Sequence, residues 1–287
     1  MVTKSVKYTL IFMTAIAFVL TACYEKFDID SYKPAFTIGG FSAVDEIEPN
    51  SVLSYFSFDE DLTDTKTGEE ASNAGTTLVN GFKGKALSLN VTNKAYVTYD
   101  AADVLDQMGS FTISFWVNPT FVDANGDNGI DGILGLVNIS RPDDFWGYLD
   151  WFVENGSNPN AAKIVVHLVN SGTGDTWMTV ENYKGLFGGW TNHTLTYDAS
   201  SSVLTYYING SVAKTATTNW DGPISFDGHG PMVFGTVHFQ TTPTLSNHGS
   251  EPWASWLTGN MDEIRIYSKA LTPEQVNALV VLQGKGK

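Results

Sequence analysis

From about Leu53 the dominant period of the apolar side chains is two, and that period restricts most of this chain to strands. Phe111, Ile113, Phe115 and Val117 alternate with Thr112, Ser114, Trp116 and Asn118. Ile164, Val166 and Leu168 alternate with Val165, His167 and Val169; Leu204, Tyr206 and Ile208 alternate with Val203, Thr205 and Tyr207. β-Branched and aromatic residues fill these runs, as suits a pleated, packed surface. Asn209-Gly210 then precedes Ser211-Val212-Ala213, a hairpin signal because both turn residues tolerate positive φ. Further strands are expected near 53–59, 86–90, 95–99, 133–139, 146–153, 176–181, 190–197, 231–239 and 261–267. Short strands separated by turn residues predict an all-β, antiparallel sandwich. One helix is expected at the C-terminus. Thr272 caps it, Pro273 opens it, Gln275 completes a Thr-x-x-Gln capping box, and Val276, Leu279 and Val280 form its apolar stripe.

The N-terminus reads as an address. Lys4 and Lys7 precede an apolar run over 8–20 that is too short for a comfortable membrane span. Leu20-Thr21-Ala22-Cys23 resembles the lipobox of bacterial lipoproteins. That resemblance implies a signal peptide over 1–22 and lipid on Cys23, the single cysteine of the chain. The acidic stretch Tyr24-Glu25-Lys26-Phe27-Asp28-Ile29-Asp30 resembles the surface-export signal of Bacteroidetes-type lipoproteins. The expectation is an outer-membrane protein anchored only by its lipid and facing outward. Residues 23–50 then form the lipidated Cys and a spacer, and residues 51–287 the domain. The net charge of −15 argues against nucleic acid or an anionic lipid surface as a direct partner, since both need a basic face. With one cysteine there is no disulfide framework.

Tyr55-Phe56-Ser57-Phe58-Asp59-Glu60, Gly84-Lys85-Ala86-Leu87-Ser88-Leu89 and the strand Phe111–Val117 resemble successive strands of the laminin-G-like, concanavalin A-like lectin/glucanase family. Trp190-Thr191-Asn192-His193-Thr194-Leu195-Thr196-Tyr197-Asp198, Tyr207-Ile208-Asn209-Gly210 and Gly259-Asn260-Met261-Asp262-Glu263-Ile264-Arg265-Ile266-Tyr267 continue in the family's order. The resemblance spans about 53–281. It implies a jelly-roll sandwich of two curved sheets that binds carbohydrate or protein.

A cation is expected next to the closing strand. Asp262 shares the alternation of Ile264 and Ile266, so strict period two turns its carboxylate into the core, where an unpaired charge costs several kcal/mol. In the family the first and last long strands lie side by side, and related folds bind structural calcium there. The resemblance therefore implies a Ca2+ held by Asp59, Asp262 and the turn at Gly84. The alternatives are that Asp262 pairs with Lys85 or caps a backbone amide. The segment Asp123-Ala124-Asn125-Gly126-Asp127-Asn128-Gly129-Ile130-Asp131-Gly132 matches an EF-hand loop at its first positions. Asn128 stands where that loop needs Gly and Leu134 where it needs Glu, so it reads as a solvated hairpin loop, with a weak calcium site of another type as the alternative.

Aromatic residues make up 13% of the chain, with eight Trp, and several lie among polar residues. Indole offers a flat apolar face to a pyranose ring, while carboxylates and amides bind the hydroxyls. The expected carbohydrate-binding residues are Trp146, Trp151, Trp177, Trp253 and Trp256, with Asp144, Glu154, Asp175 and Asn247 as polar partners. Trp116 and Trp190, inside regular strands, read as packing residues. Neither a Glu-x-Asp-x-x-Glu run nor a nucleophile elbow is present, although Asp144 and Asp150 could still converge. The sequence reading is therefore a surface-anchored, non-catalytic lipoprotein that captures a polysaccharide or oligosaccharide. Its expected partners are an outer-membrane glycan transporter or glycan-degrading enzymes. The alternatives are a cell-adhesion or protein-interaction module and, third, a glycoside hydrolase or lyase.

Overall fold

A computed structural model describes residues 36–287. The expected signal peptide, Cys23 and the acidic stretch after it lie outside the described residues. Among the described residues the alternating runs form sixteen strands: β1 (Val52–Phe56), β2 (Ser72–Ala74), β3 (Thr77–Asn80), β4 (Lys85–Leu89), β5 (Tyr96–Tyr99), β6 (Phe111–Pro119), β7 (Ile133–Ile139), β8 (Leu149–Val153), β9 (Ala162–Asn170), β10 (Gly174–Tyr183), β11 (Thr191–Asp198), β12 (Val203–Ile208), β13 (Ser211–Thr217), β14 (Met232–Phe234), β15 (Ala254–Ser255) and β16 (Gly259–Tyr267). A one-turn helix α1 (Ala102–Leu105) and the C-terminal helix α2 (Pro273–Gln283) complete the set.

The strands make two sheets. The first runs β13-β12-β11-β6-β16-β4-β3, with β1 also paired to β16; the second runs β10-β9-β8-β7-β14-β5-β2, with β15 against β7. Pairing is antiparallel except for the short β15–β7 contact. This is the expected jelly-roll sandwich. Phe111, Ile113, Phe115 and Val117 of β6 face Leu149, Trp151 and Val153 of β8 and Ile164, Val166 and Leu168 of β9 across the core. Asn209 and Gly210 take positive φ, 50° and 77°, and join β12 to β13 as the Asn-Gly pair foretold. The capping box of α2 also forms: Thr272 accepts from the Gln275 amide, and the Gln275 side chain accepts from the Thr272 amide.

The outer faces of both sheets are covered too, which is why many strands are buried on both sides. Over the first sheet, Val276, Leu279 and Leu282 of α2 pack with Tyr207, Tyr267, Val44 and Ile47. Packing therefore starts ahead of residue 51, and Thr37–Lys287 forms one compact unit. Over the second sheet, Val237, Phe239 and Ala254 pack on Ile133, Phe152 and Val165. The expected strand over 231–239 stops at Phe234. Gly235 turns the chain at φ 93°, and His238–Gln240 forms a 3-10 turn above the sheet instead.

Trp151, expected at a sugar surface, belongs to this core. It is fully buried, 4.8 Å from the Phe115 ring and 5.2 Å from the Tyr206 ring between centroids. Period two sends its sequence neighbours Asp150 and Phe152 to the opposite side of β8, where they are buried as well, under the cover of the outer face. Trp151→Ala should lower the unfolding free energy by about 4 kcal/mol in urea titration, the cost of a large aromatic cavity. A loss below about 1 kcal/mol would show that Trp151 is not packed as described.

Candidate functional site

Four strands bring polar side chains into one row across the outer face of the second sheet. Asn138 on β7 pairs in register with Asp150 on β8, Asp150 with His167 on β9, and His167 with Trp177 on β10. The row is sealed at one end and open at the other. Asn138, Asp150 and His238 are fully buried, His167 nearly so, and Trp177 is 48% exposed. The open end is a cleft of about 500 Å3 lined by Arg141, Asp144, Trp146, His167, Asp175 and Trp177, and closed below by the 170–174 turn.

The cleft side chains hold one another. Trp177 stacks on His167 with centroids 4.0 Å apart and planes 16° apart, and meets Trp146 edge-on at 5.4 Å. Asp175 Oδ2 accepts from Trp177 Nε1 at 2.9 Å and lies 3.1 Å from His167 Nε2. His167 Nδ1 lies 3.0 Å from Asp150 Oδ2, and His238 Nδ1 lies 3.4 Å from the other Asp150 oxygen. Burial pushes the Asp150 carboxyl up, but the two histidines outweigh it and hold the group below the usual carboxylate range. Arg141 pairs with Asp144 at 2.9 Å and lies over the Tyr148 ring.

Trp253, 38% exposed, extends the aromatic surface: it lies 6.2 Å from Trp146 and 6.0 Å from Phe145, which stacks on Phe239 at 4.8 Å. Asn247 sits beside this surface, with its side-chain amide donating to the Asp143 carbonyl at 2.7 Å. The remaining expected residues lie elsewhere. Trp151 is in the core. Glu154 pairs with Lys163 at 3.8 Å outside the cleft. Trp256 lines a separate small depression with Asp131 and Leu134, and Lys94 lies over its ring at 5.0 Å. Asp150 does not face Asp144 across a groove, since it is sealed inside the sheet. Sequence reasoning missed His167, Arg141 and the 170–174 turn. The available signals were that His167 shares the outward alternation of Val165 and that the run Ser171-Gly172-Thr173-Gly174-Asp175 beside Trp177 is polar.

The closing strand departs from strict alternation. Met261 pairs with Val117 and Asp262 with Trp116, but Arg265 pairs with Ser114, so a bulge falls between them with Glu263 at φ 52°. Ile264 and Ile266 enter the core while Asp262 sits on the face of Trp116, which corrects the expectation that the three share a face. Asp262 is buried all the same. It accepts from the Lys83 amide at 3.0 Å and the Glu263 amide at 2.7 Å, the amide-capping alternative. Burial pushes its carboxyl up to about 7. Asp59 reaches the same turn and accepts from the Lys85 amide at 3.0 Å. Gly84, at φ 63°, is needed there, because a Cβ would lie 1.7 Å from Asp59 Oδ1. An oxygen-only set of Asp59, Asp262 and turn carbonyls fits the chemistry of calcium, and the incompletely compensated Asp262 is the reason to consider it. Among the described residues no group of three or more His, Cys, Asp or Glu side chains is placed to hold a metal. In the 123–132 loop Asp123 accepts amides of Gly126, Asp127 and Asn128, and Asp131 that of Ala124, as a self-contained turn does.

Comparison with known structures bears on the fold. The binding domain of botulinum neurotoxin DC, solved in complex with SialylT, is similar at a TM-score of 0.58 and 15% identity, covering 82% of this chain and 51% of that one. The binding domain of Paraclostridial Mosquitocidal Protein 1 is similar at 0.57 and 16% identity, covering 80% and 52%. This chain thus spans about half the length of those domains. Domain 4 of the arabinanase AbnA from Geobacillus stearothermophilus, solved with arabinotriose, aligns at 0.49 and 21% identity, covering 80% and 98%. No curated protein matches in sequence. Residues 91–277, about two thirds of the chain, match a family described as the concanavalin A-like lectin/glucanases superfamily, of the laminin G type. With the two-sheet sandwich and its family match both in place, the chain belongs to the concanavalin A-like lectin/glucanase superfamily.

Proposed function

We propose that this protein is a non-catalytic carbohydrate-binding module that captures an oligosaccharide or polysaccharide in the cleft of Trp146 and Trp177. The observation that carries this reading is Trp177, a half-exposed indole held flat on His167 beside a carboxylate whose position is already set. A pyranose can lie on that indole while Asp175 and Asp144 take its hydroxyls, and Trp253 extends the surface for a longer chain. That similar sandwiches occur as the binding domains of toxins supports a binding role over a catalytic one. In our reading, lipid on Cys23 tethers the module to the outer membrane, facing outward. There it hands glycan to a transporter or to glycan-degrading enzymes. We also propose that Ca2+ is held by Asp59, Asp262 and the turn at Gly84, where it would supply charge compensation to a buried carboxylate.

Affinity electrophoresis of the chain from residue 24 onward against arabinan, xylan, β-glucan and galactomannan tests the first proposal. At least one gel should retard it. Trp177→Ala should weaken that retardation about tenfold, equivalent to about 1.4 kcal/mol, while Trp256→Ala leaves it unchanged. Retention of full binding by Trp177→Ala would refute the cleft; failure on every glycan, with a single protein partner in a pull-down, would favour an adhesion module. For the cation, EDTA should lower the melting temperature and added Ca2+ restore it. An unchanged melting curve would remove calcium from the account.

A further inference from the structure

We propose that His167 is the positioning residue of the cleft: an imidazolium whose two N–H groups bridge sealed Asp150 and cleft-facing Asp175, making glycan binding weaken as pH rises. The inference rests on the reading of the cleft as a sugar site. It begins with a count of hydrogens. Both ring nitrogens lie at hydrogen-bond distance from a carboxylate oxygen, 3.0 Å on the Asp150 side and 3.1 Å on the Asp175 side. A neutral imidazole has one N–H, so in either tautomer its other nitrogen would point a lone pair at a carboxylate. Only the doubly protonated ring donates to both.

The surroundings agree. Asp150 is fully buried and held in its ionised form, and a sealed carboxylate needs a cation or donors beside it. Facing His167 are Asp150 from β8, Asp175 and Trp177 from β10, and Trp146 from the loop before β8. Behind Asp150 lies His238, fully buried, with Nδ1 3.4 Å from the other Asp150 oxygen, so it faces Asp150 and not the cleft. On the rim Arg141 is engaged by Asp144. Two carboxylates therefore border His167, and the nearest arginine is already paired. The Trp177 indole lies parallel to the ring at 4.0 Å, the arrangement in which an aromatic face attracts a cation.

One proton thus holds two ligand-facing groups. It fixes the Asp175 carboxylate by a charge-assisted bond and keeps Trp177 on its support. The contribution exists only while both ring nitrogens carry a proton, and it is lost on the alkaline side when one of them is given up. The site would take neutral glycans best, since its open end presents Asp144 and Asp175.

Two measurements test this. In 15N-labelled protein without glycan, two-bond 1H–15N spectra at about pH 7 should show both His167 ring nitrogens protonated. The Trp177 indole resonance should move with the ring's titration. With the polysaccharide retarded most strongly in the panel above, affinity should fall about tenfold between about pH 5 and about pH 9. His167→Gln should bind at the weak alkaline level throughout. Asp175→Asn, at a side chain 52% exposed, keeps the fold and should flatten the pH dependence of binding, because the charged partner of the ring is gone. A single neutral tautomer of His167 at about pH 7, or binding that is flat across this range, would overturn the proposal. Absence of binding to every polysaccharide at every pH would instead overturn the sugar reading, and the ring titration with its coupled indole shift would then decide the bridge alone.

Discussion

Asp150 is a carboxylate with no path to water, and the outer face of the second sheet is organised around it. Isolating such a charge costs several kcal/mol, so the positions that touch it are not free to be apolar. The register of β7, β8 and β9 puts Asn138 on one side and His167 on the other, and the 3-10 turn lowers His238 from above. Because β10 is the last strand of the sheet, the next step along the row reaches its edge at Trp177. A demand that begins in the interior thus emerges at the surface as a histidine already bonded on its inner side. The cleft is the wet end of a polar row whose dry end is Asp150.

Only one of the two outer faces could develop this way. The first sheet is closed by α2, which is pinned by a sealed network. Trp116 donates to Gln283 at 2.8 Å, Gln283 donates to Glu263 at 3.0 Å, and Tyr55 donates to Glu263 at 2.7 Å while lying 3.7 Å beneath the Arg265 guanidinium. The bulge at Glu263 makes this possible by placing that carboxylate under the helix. Over the second sheet the cover is the 235–256 segment, nearly free of regular structure, which lies on β7 and β8 and leaves the far end of β9 and β10 bare. Irregular cover gives partial burial, and partial burial is what a binding surface needs.

The sandwich, the Asn209-Gly210 hairpin and the cap of α2 were legible in the sequence because each depends on neighbours a few residues apart. Trp177, Trp146, Trp253 and Asp175 were legible as residue types suited to a sugar. Their convergence was not, since it depends on register across four strands and on a loop more than 60 residues further along. Asp262 shows the limit most plainly: strict alternation assigns it the face of Ile264, and a single positive φ at Glu263 moves it to the other. His167 was passed over for a related reason. Its importance lies in two carboxylates, one 17 and the other 8 residues away, that only the sheet brings to its two nitrogens.

The tryptophans show how one residue type serves different ends. Trp151 fills the core, Trp177 faces the cleft and Trp256 lies half covered in a depression of its own, although all three belong to β-strands or their immediate extensions. Alternation decides which face of a sheet an indole joins, but the cover over that face decides whether it meets solvent. In the second sheet that cover is made by the 141–148 loop, the 170–174 turn and the 235–256 segment. Changes in those loops would re-expose or bury the same indoles without disturbing a strand. The scaffold therefore sets where aromatic surface can appear, and the choice of ligand belongs to the loops.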